Sequence, residues 1–389
     1  MTNSDIRIPI DAPNIGELER EYVMRALESG YVSSAGPLIG EFEERFAAYV
    51  GARCAVATVN GTSAIHLALR LLGIRPGDEV IVPALTFIGT VNPVVYLGAT
   101  PVVVDVDPQT WNISVDAMEE AITKRTRAVV PVHLYGNPAD MTGVVKVASK
   151  HGLSVVEDAA EALGSTYKGK HVGTFGKIGV FSFNGNKVMT TGGGGMLVTD
   201  DPELAARARL LVNQGRMPGI TEYEHQEIGY NYRLTNLQAA LGLAQMERLP
   251  EFLATKRRNA AIYRELLQRL PGLEWQHEAE SAESGWWLFS VLIDPKRFGE
   301  DRISVAQRLK AAGVQVRPLF KSINRQPPYR KYCFRECPVA ESLHERGLNL
   351  PSASFLKEED IRETCRLLLS RWKLDEPTTD CDHRCGRSC

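Results

Sequence analysis

The stretch Gly179–Asp200, GVFSFNGNKVMTTGGGGMLVTD, decides how this chain is read. Its first apolar run, Val180–Phe183, has the length and composition of a buried strand. A tight polar turn, Asn184-Gly185-Asn186, ends the run and delivers one cation, Lys187. Gly192–Gly195 come next, then a second apolar run, Met196–Val198. Glycines at that place let another group approach the backbone closely. An ammonium held between two buried strands loses hydration, which favours the neutral, nucleophilic amine that Schiff-base chemistry uses. The same residues also fit a surface hairpin with a solvated lysine, so the remaining chain has to choose.

Upstream of this stretch, strand and helix signals alternate. Strands are expected at 54–59, 79–82, 101–105, 127–133 and 153–157, with helices at 62–72, 87–97, 115–122 and 141–151 between them. Continuous β-branched runs separated by helices of this length indicate an α/β fold, its sheet mainly parallel and covered by helices on both faces. Two helices, 16–29 and 41–49, precede the first strand. Downstream, Thr235–Leu270 is amphipathic and interrupted by Pro250, so two helices or one kinked helix are expected. A smaller α+β unit follows, with strands at 286–293 and 315–318 and helices at 304–312 and 358–372. The expected organisation is a large α/β domain at 1–250 with an N-terminal helical segment, a small α+β domain at 251–375 and a disordered tail at 376–389.

With 389 residues the chain can bury a large core, and a net charge of −2 gives no reason to expect nucleic acid or a membrane as partner. There is no apolar stretch of membrane-spanning length and no secretory signal pattern, and the seven cysteines are odd in number and scattered. These features point to a cytoplasmic protein with reduced thiols. Cys381, His383, Cys385 and Cys389 have no recognised metal-ligand spacing, so no metal site is expected.

Four groups stand at expected strand ends, where an open parallel sheet presents its ligand crevice. Asn60-Gly61-Thr62-Ser63 opens a helix, and its backbone N–H groups and hydroxyls suit a phosphate, or simply cap the helix. Phe87 follows the next strand and can stack on a flat ring, or open a helix as a core aromatic. Asp158, at the buried end of Ser154-Val155-Val156, needs a partner such as a protonated pyridine nitrogen, or caps a helix. Ser182 can add a hydroxyl to the phosphate site, and Asn231 is polar among aromatics before a helix capped by Thr235 or Asn236. Together with Lys187 these groups describe a pyridoxal 5′-phosphate site.

The chain resembles the DegT/StrS-type nucleotide-sugar aminotransferases, within the fold-type I pyridoxal-phosphate (PLP) enzymes. The resemblance runs through GYVSSAGPLIGEFEERFAAYVGA, NGTSAIHLAL, PGDEVIVPALTFIGT, VVEDAAEALGSTYKGKHVGTFGKIGVFSFNGNK, TTGGGGMLVTDD and IGYNYRLTNLQAALG, and covers about residues 8 to 372. It implies that Lys187 carries the cofactor and shuttles the proton, that Asp158 pairs with the pyridine nitrogen, and that Phe87 stacks on the ring. Gly61, Thr62, Ser63 and Ser182 would hold the phosphate, and Asn231 would complete that site from the other subunit of a homodimer with shared active sites. Glu161 would lie near the ring hydroxyl. Arg216, Arg233 and Arg317 would contact glutamate or the sugar nucleotide.

FNGNK with TTGGGG resembles enzymes that aminate C4 of a UDP-linked 4-keto-6-deoxy-2-acetamido hexose with glutamate as donor. GDP-perosamine synthases, which more often carry FFGNK and TTGEGG, are the alternative. Related sugar dehydratases replace the lysine, so Lys187 argues against that activity. The intact site, with no appended DNA-binding segment, argues against a non-catalytic regulator.

Overall fold

The computed structural model describes residues 6–216, 224–268, 270–332 and 335–370. The expected tail and its cysteines therefore lie outside the described residues. Two helices lead, α1 (Glu17–Glu28) and α2 (Pro37–Val50). The alternating part follows as β1 (Cys54–Thr58), α3 (Gly61–Leu71), β2 (Glu79–Pro83), α4 (Ile88–Tyr96), β3 (Thr100–Val104), α5 (Val115–Glu120), β4 (Thr126–Val129), α6 (Met141–His151) and β5 (Ser154–Asp158). Two short strands, β6 (Thr166–Tyr167) and β7 (Lys170–His171), precede β8 (Ile178–Ser182) and β9 (Gly195–Thr199). Helix α7 (Pro202–Val212), for which the sequence reading had no helix, then leads to the long α8 (Asn236–Leu267).

Seven of these strands form one sheet in the order β1-β9-β8-β5-β4-β2-β3. Pairings from β3 through β8 are parallel, while β9 runs antiparallel to both β8 and β1. The sheet is thus mixed and mostly parallel. The reversal of β9 matters for the site. Its first residue, Gly195, pairs with the last residues of β1 and β8, Thr58 and Ser182. The segment between Ser182 and Gly195 therefore sits at the C-terminal edge of the parallel strands. A Cβ on Gly195 would lie 2.6 Å from the Asn60 carbonyl carbon and 2.7 Å from the Gly61 nitrogen. The close approach that this glycine permits is made by the backbone that opens α3.

Helix α8 is continuous for 32 residues with Pro250 inside it, so of the two expectations there the single helix is the one found. An interior proline costs roughly 3 kcal/mol. Leu249, Phe252 and Leu253 around it are buried, and their packing holds the helix together on both sides. Thr235 caps the helix, with Gln238 closing a capping box.

The C-terminal unit contains β10 (Leu273–Trp275), β11 (Ala282–Glu283), β12 (Phe289–Ile293), α9 (Pro295–Phe298), α10 (Arg302–Ala311), β13 (Arg317–Pro318), α11 (Pro338–Arg346), β14 (Gly347–Leu350) and α12 (Glu358–Leu368). Strands β10-β12-β14-β13 make a second sheet, and β11 pairs with β6. Buried apolar residues form two clusters, and α8 passes from one to the other between Leu253 and Ala260. Membership crosses the expected division at residue 250. Ile8 packs in the second cluster, and Leu319, Ile323, Tyr329 and Leu343 pack in the first.

Candidate active site

A cleft of about 430 Å³ opens at the C-terminal edge of the main sheet. One side is built by the turns after β1, β2, β5 and β8. The facing side comes from Trp287, Leu288, Arg317, Pro318, Phe320 and Asn349 of the C-terminal unit.

Lys187 is placed by its own turn, its backbone N–H donating to Asn184 O at 3.0 Å. Its side chain is only 13% exposed, and Nζ lies 3.5 Å from Glu161 Oε1. On another side Nζ sits 3.8 Å from the centre of the Trp287 ring, a cation–π contact. The Trp287 Nε1–H donates to Asn186 O at 2.5 Å, so one indole braces both the ammonium and the turn that carries it. Glu161 is buried and also accepts from the Tyr135 N–H at 2.9 Å. Burial pushes its carboxyl above the usual range, with Lys187 and the Tyr135 N–H opposing. Tyr135 holds a left-handed backbone, φ +56°, and its hydroxyl accepts from the Phe320 N–H at 3.0 Å. That conformation is uncommon for a bulky residue and recurs at functional sites.

Asp158 ends β5 and is 5% exposed. Oδ2 accepts from the Thr90 hydroxyl at 2.7 Å and Oδ1 from the Ala160 N–H at 3.1 Å. Thr86 and Thr90 Oγ1 atoms lie 2.7 Å apart, extending the chain of hydroxyls. Burial raises the Asp158 carboxyl, opposed by the Thr90 hydroxyl, the Ala160 N–H and the charge on Lys187. Lys187 pairs with Glu161, and Asp158 makes no ion pair among the described residues. A cationic group entering the cleft would meet a buried carboxylate that lacks one.

Asn60 caps α3 through its side chain, which accepts from the Ser63 N–H at 2.8 Å. Gly61 lies against Ser182, where an added Cβ would come within 3.0 Å of the serine Cβ. Gly89 carries the Thr62 hydroxyl and the Phe87 ring above it, and a Cβ there would meet them at 2.8 and 3.0 Å. These close approaches gather Gly61, Thr62, Phe87 and Ser182 into one wall. Phe87 is 54% exposed, with its ring 5.8 Å from that of Phe320.

The donor set fits pyridoxal phosphate. A helix N-terminus with two hydroxyls suits the phosphate, Phe87 the ring face, Asp158 a ring N–H and Lys187 the aldehyde carbon. Of the residues expected from sequence, Gly61, Thr62, Phe87, Asp158, Glu161, Ser182, Lys187 and Arg317 line the cleft. Ser63 does not, and its hydroxyl faces Tyr232 instead. Asn231 is exposed and pairs with Asn213. Arg233 donates to Ser34 O at 3.1 Å, and Arg216 pairs with His225, both away from the cleft walls. Thr90, Trp287, Phe320 and Asn349 were not expected. Thr86 and Thr90, four residues apart where a helix begins, were a usable signal for a shared face. Trp287, a hundred residues from Lys187, gave none.

The model of the DegT/DnrJ/EryC1/StrS aminotransferase family matches residues 13–368. The chain is 46% identical over 356 residues to a GDP-perosamine synthase of Caulobacter vibrioides, covering 91% of this chain and 95% of that one. A GDP-perosamine synthase of Escherichia coli O157:H7 is 44% identical over 358 residues, covering 92% and 96%. The fold is similar to that of the Spr1654 protein of Streptococcus pneumoniae solved in its PLP form, with TM-score 0.88, 29% identity and coverage of 93% and 98%. The chain belongs to the DegT/DnrJ/EryC1/StrS family and is a PLP-dependent sugar aminotransferase.

Proposed function

We propose that this aminotransferase moves the amino group of glutamate to C4 of a GDP-linked 4-keto-6-deoxy hexose, the perosamine-forming reaction. The observation that carries the substrate assignment is identity of 46% and 44%, over nearly whole chains, to two GDP-perosamine synthases. The UDP-linked 2-acetamido sugar expected from FNGNK and TTGGGG is the second reading, and those two motifs are what favour it.

Bound pyridoxal phosphate supplies an electron sink for the bond-breaking at the amino-bearing carbon. The protein's part follows from the cleft. Lys187 is the amine that would hold the cofactor and move the proton. Asp158, which accepts from the Thr90 hydroxyl, would keep a ring nitrogen protonated. Gly61, Thr62 and Ser182 would hold the phosphate, and Phe87 would cover the ring. Glu161 holds Lys187 and would serve the ring hydroxyl. Arg317, on the opposite wall, offers a guanidinium to the substrate anions.

Asn231 completes the phosphate site from a second copy of the chain. It is exposed in a single copy, and Ile228, three residues away, is 87% exposed. An apolar side chain that open suits a covered surface. Arg216 and Arg233, also outside the single-copy cleft, would reach substrate only in such a dimer. The enzyme works in the cytoplasm, and no helix among the described residues is long and apolar enough to cross a membrane.

The test offers the purified protein glutamate with each keto sugar. Glutamate-dependent amination of GDP-4-keto-6-deoxymannose, at a kcat/KM well above that for the UDP-linked sugar, is the expected result. Preference for the UDP-linked 2-acetamido sugar would replace this reading with the second. Amination of simple 2-oxo acids alone would remove both.

A further inference from the structure

Outside the cleft walls the chain buries a second lysine. Lys256, on α8, is 2% exposed, and its Nζ donates to Ser352 O at 2.7 Å and Trp287 O at 3.1 Å. Asp11 Oδ1 lies 3.5 Å from the same nitrogen, and neither side chain is more than 2% exposed. Asp11 belongs to the N-terminal segment, which is tied to the C-terminal unit. The Ser352 N–H donates to Ile10 O at 2.6 Å, and the Ile10 N–H to Gln315 Oε1 at 3.1 Å. The pair therefore joins three separate segments to the backbone of Trp287.

A buried ion pair is a poor source of stability, because desolvating both charges offsets their attraction and apolar residues can fill the same space. What this pair holds is the informative part. Trp287 carries the Lys187 ammonium on its ring face and hydrogen-bonds the residue before it. Burial pushes the Asp11 carboxyl up to about 6, while Lys256, the Trp287 side chain and the charge on Lys187 pull it down.

We propose that Asp11 and Lys256 are positioning residues for Lys187, acting through Trp287, whose carbonyl Lys256 anchors and whose indole sets where the Lys187 amine stands. The proposal rests on the reading of Lys187 as the cofactor-bearing lysine. Neither residue is among those lining the cleft. Their effect is to keep the amine within bonding range of an incoming carbonyl, where misplacement of about 1 Å can cost roughly a hundredfold in rate.

The experiment replaces the pair with apolar residues, Asp11→Leu with Lys256→Met. It follows the rate at which cofactor-free protein gains visible absorbance on adding pyridoxal phosphate. Borohydride reduction and peptide mapping then locate the label. The variant should melt within a few degrees of wild type yet react at Lys187 about tenfold more slowly, or worse. In a Trp287→Phe background the same pair of changes should alter the rate by no more than about twofold, because the intermediary is gone. A wild-type rate in a folded double variant overturns the proposal. If that variant does not fold, Asp11→Asn, which keeps the shape and removes the charge, reports in the same assay, and a wild-type rate there overturns it equally. Wild-type protein that takes no label at Lys187 removes the reading of Lys187 and this inference with it.

Discussion

Glu157 and Asp158 are neighbours on β5, both buried, and point to opposite faces of the strand. Glu157 Oε1 accepts from the Phe175 and Gly176 N–H groups, each at 2.6 Å. Its Oε2 accepts from the Gly173 N–H at 2.8 Å and lies 3.1 Å from His133 Nε2. His133 Nδ1 accepts from the Ala139 N–H at 3.0 Å, which puts the ring proton on Nε2, aimed at Glu157. All the acceptor positions of that carboxylate are filled by protein. Asp158 has two hydrogen bonds and no ion pair among the described residues, and it opens on the cleft. Saturation, more than burial or residue type, separates the carboxylate closed off by protein from the one open to the cleft.

Exchanging each acid for its amide should split the two in opposite directions. Asp158→Asn should keep the melting temperature at or above wild type, since burial already penalises this charge, and lower kcat by about 10²–10³-fold. Glu157→Gln should do the reverse. Its amide NH₂ would face backbone donors, so stability should drop by about 3–5 kcal/mol in denaturant titrations, while kcat per folded molecule stays within about threefold of wild type. Equal effects on both quantities in both variants would break the comparison.

Thr90→Val tests whether the hydroxyl on Asp158 matters to the chemistry. A hydrogen bond to a charged group is worth about 1.5–3 kcal/mol, and with part of that recovered by solvent kcat should fall about tenfold. Thr90→Ser, which retains the hydroxyl, should restore most of it.

The smallest effect concerns His171, on the Glu157 side. Its Nε2 accepts from the Gly164 N–H at 2.9 Å, and burial pushes its pKa down to about 4 from the ordinary 6.5. The folded chain keeps this ring neutral. Its contribution to stability is complete above pH 6.5 and is lost as the pH falls from 6.5 to 4, where only the unfolded chain takes the proton. Because the ring is partly exposed, the full shift is discounted, and His171→Leu should flatten the stability–pH curve over that window by about 1–2 kcal/mol. An unchanged curve would mean that the ring is already protonated or free of burial.

The alternating strands and helices, and the cleft-lining residues on strand-end turns, were legible because each is local. A β-branched run reads as a strand, and a polar turn after it marks the sheet edge. Three things were not legible. The reversal of β9 depends on the close seat of Gly195 against Asn60 and Gly61, which no run of glycines specifies by itself. Which of the two expectations at Pro250 holds, one helix or two, depends on tertiary packing, which overrides propensity. The facing wall, with Trp287, Phe320 and Asn349, comes from residues distant in sequence that reach Lys187 only because the C-terminal unit packs on the main sheet, Trp287 joining the first cluster. Ser63 had the right residue type in the right segment, but the helical turn that begins at Gly61 points its hydroxyl toward Tyr232.

The central claim is that one amine in this cleft carries the cofactor. Protein loaded with pyridoxal phosphate, reduced with borohydride and digested should show the pyridoxyl mass on the peptide containing Lys187. Lys256, buried and paired, should carry none. Label on another lysine, or spread over several, would contradict the account.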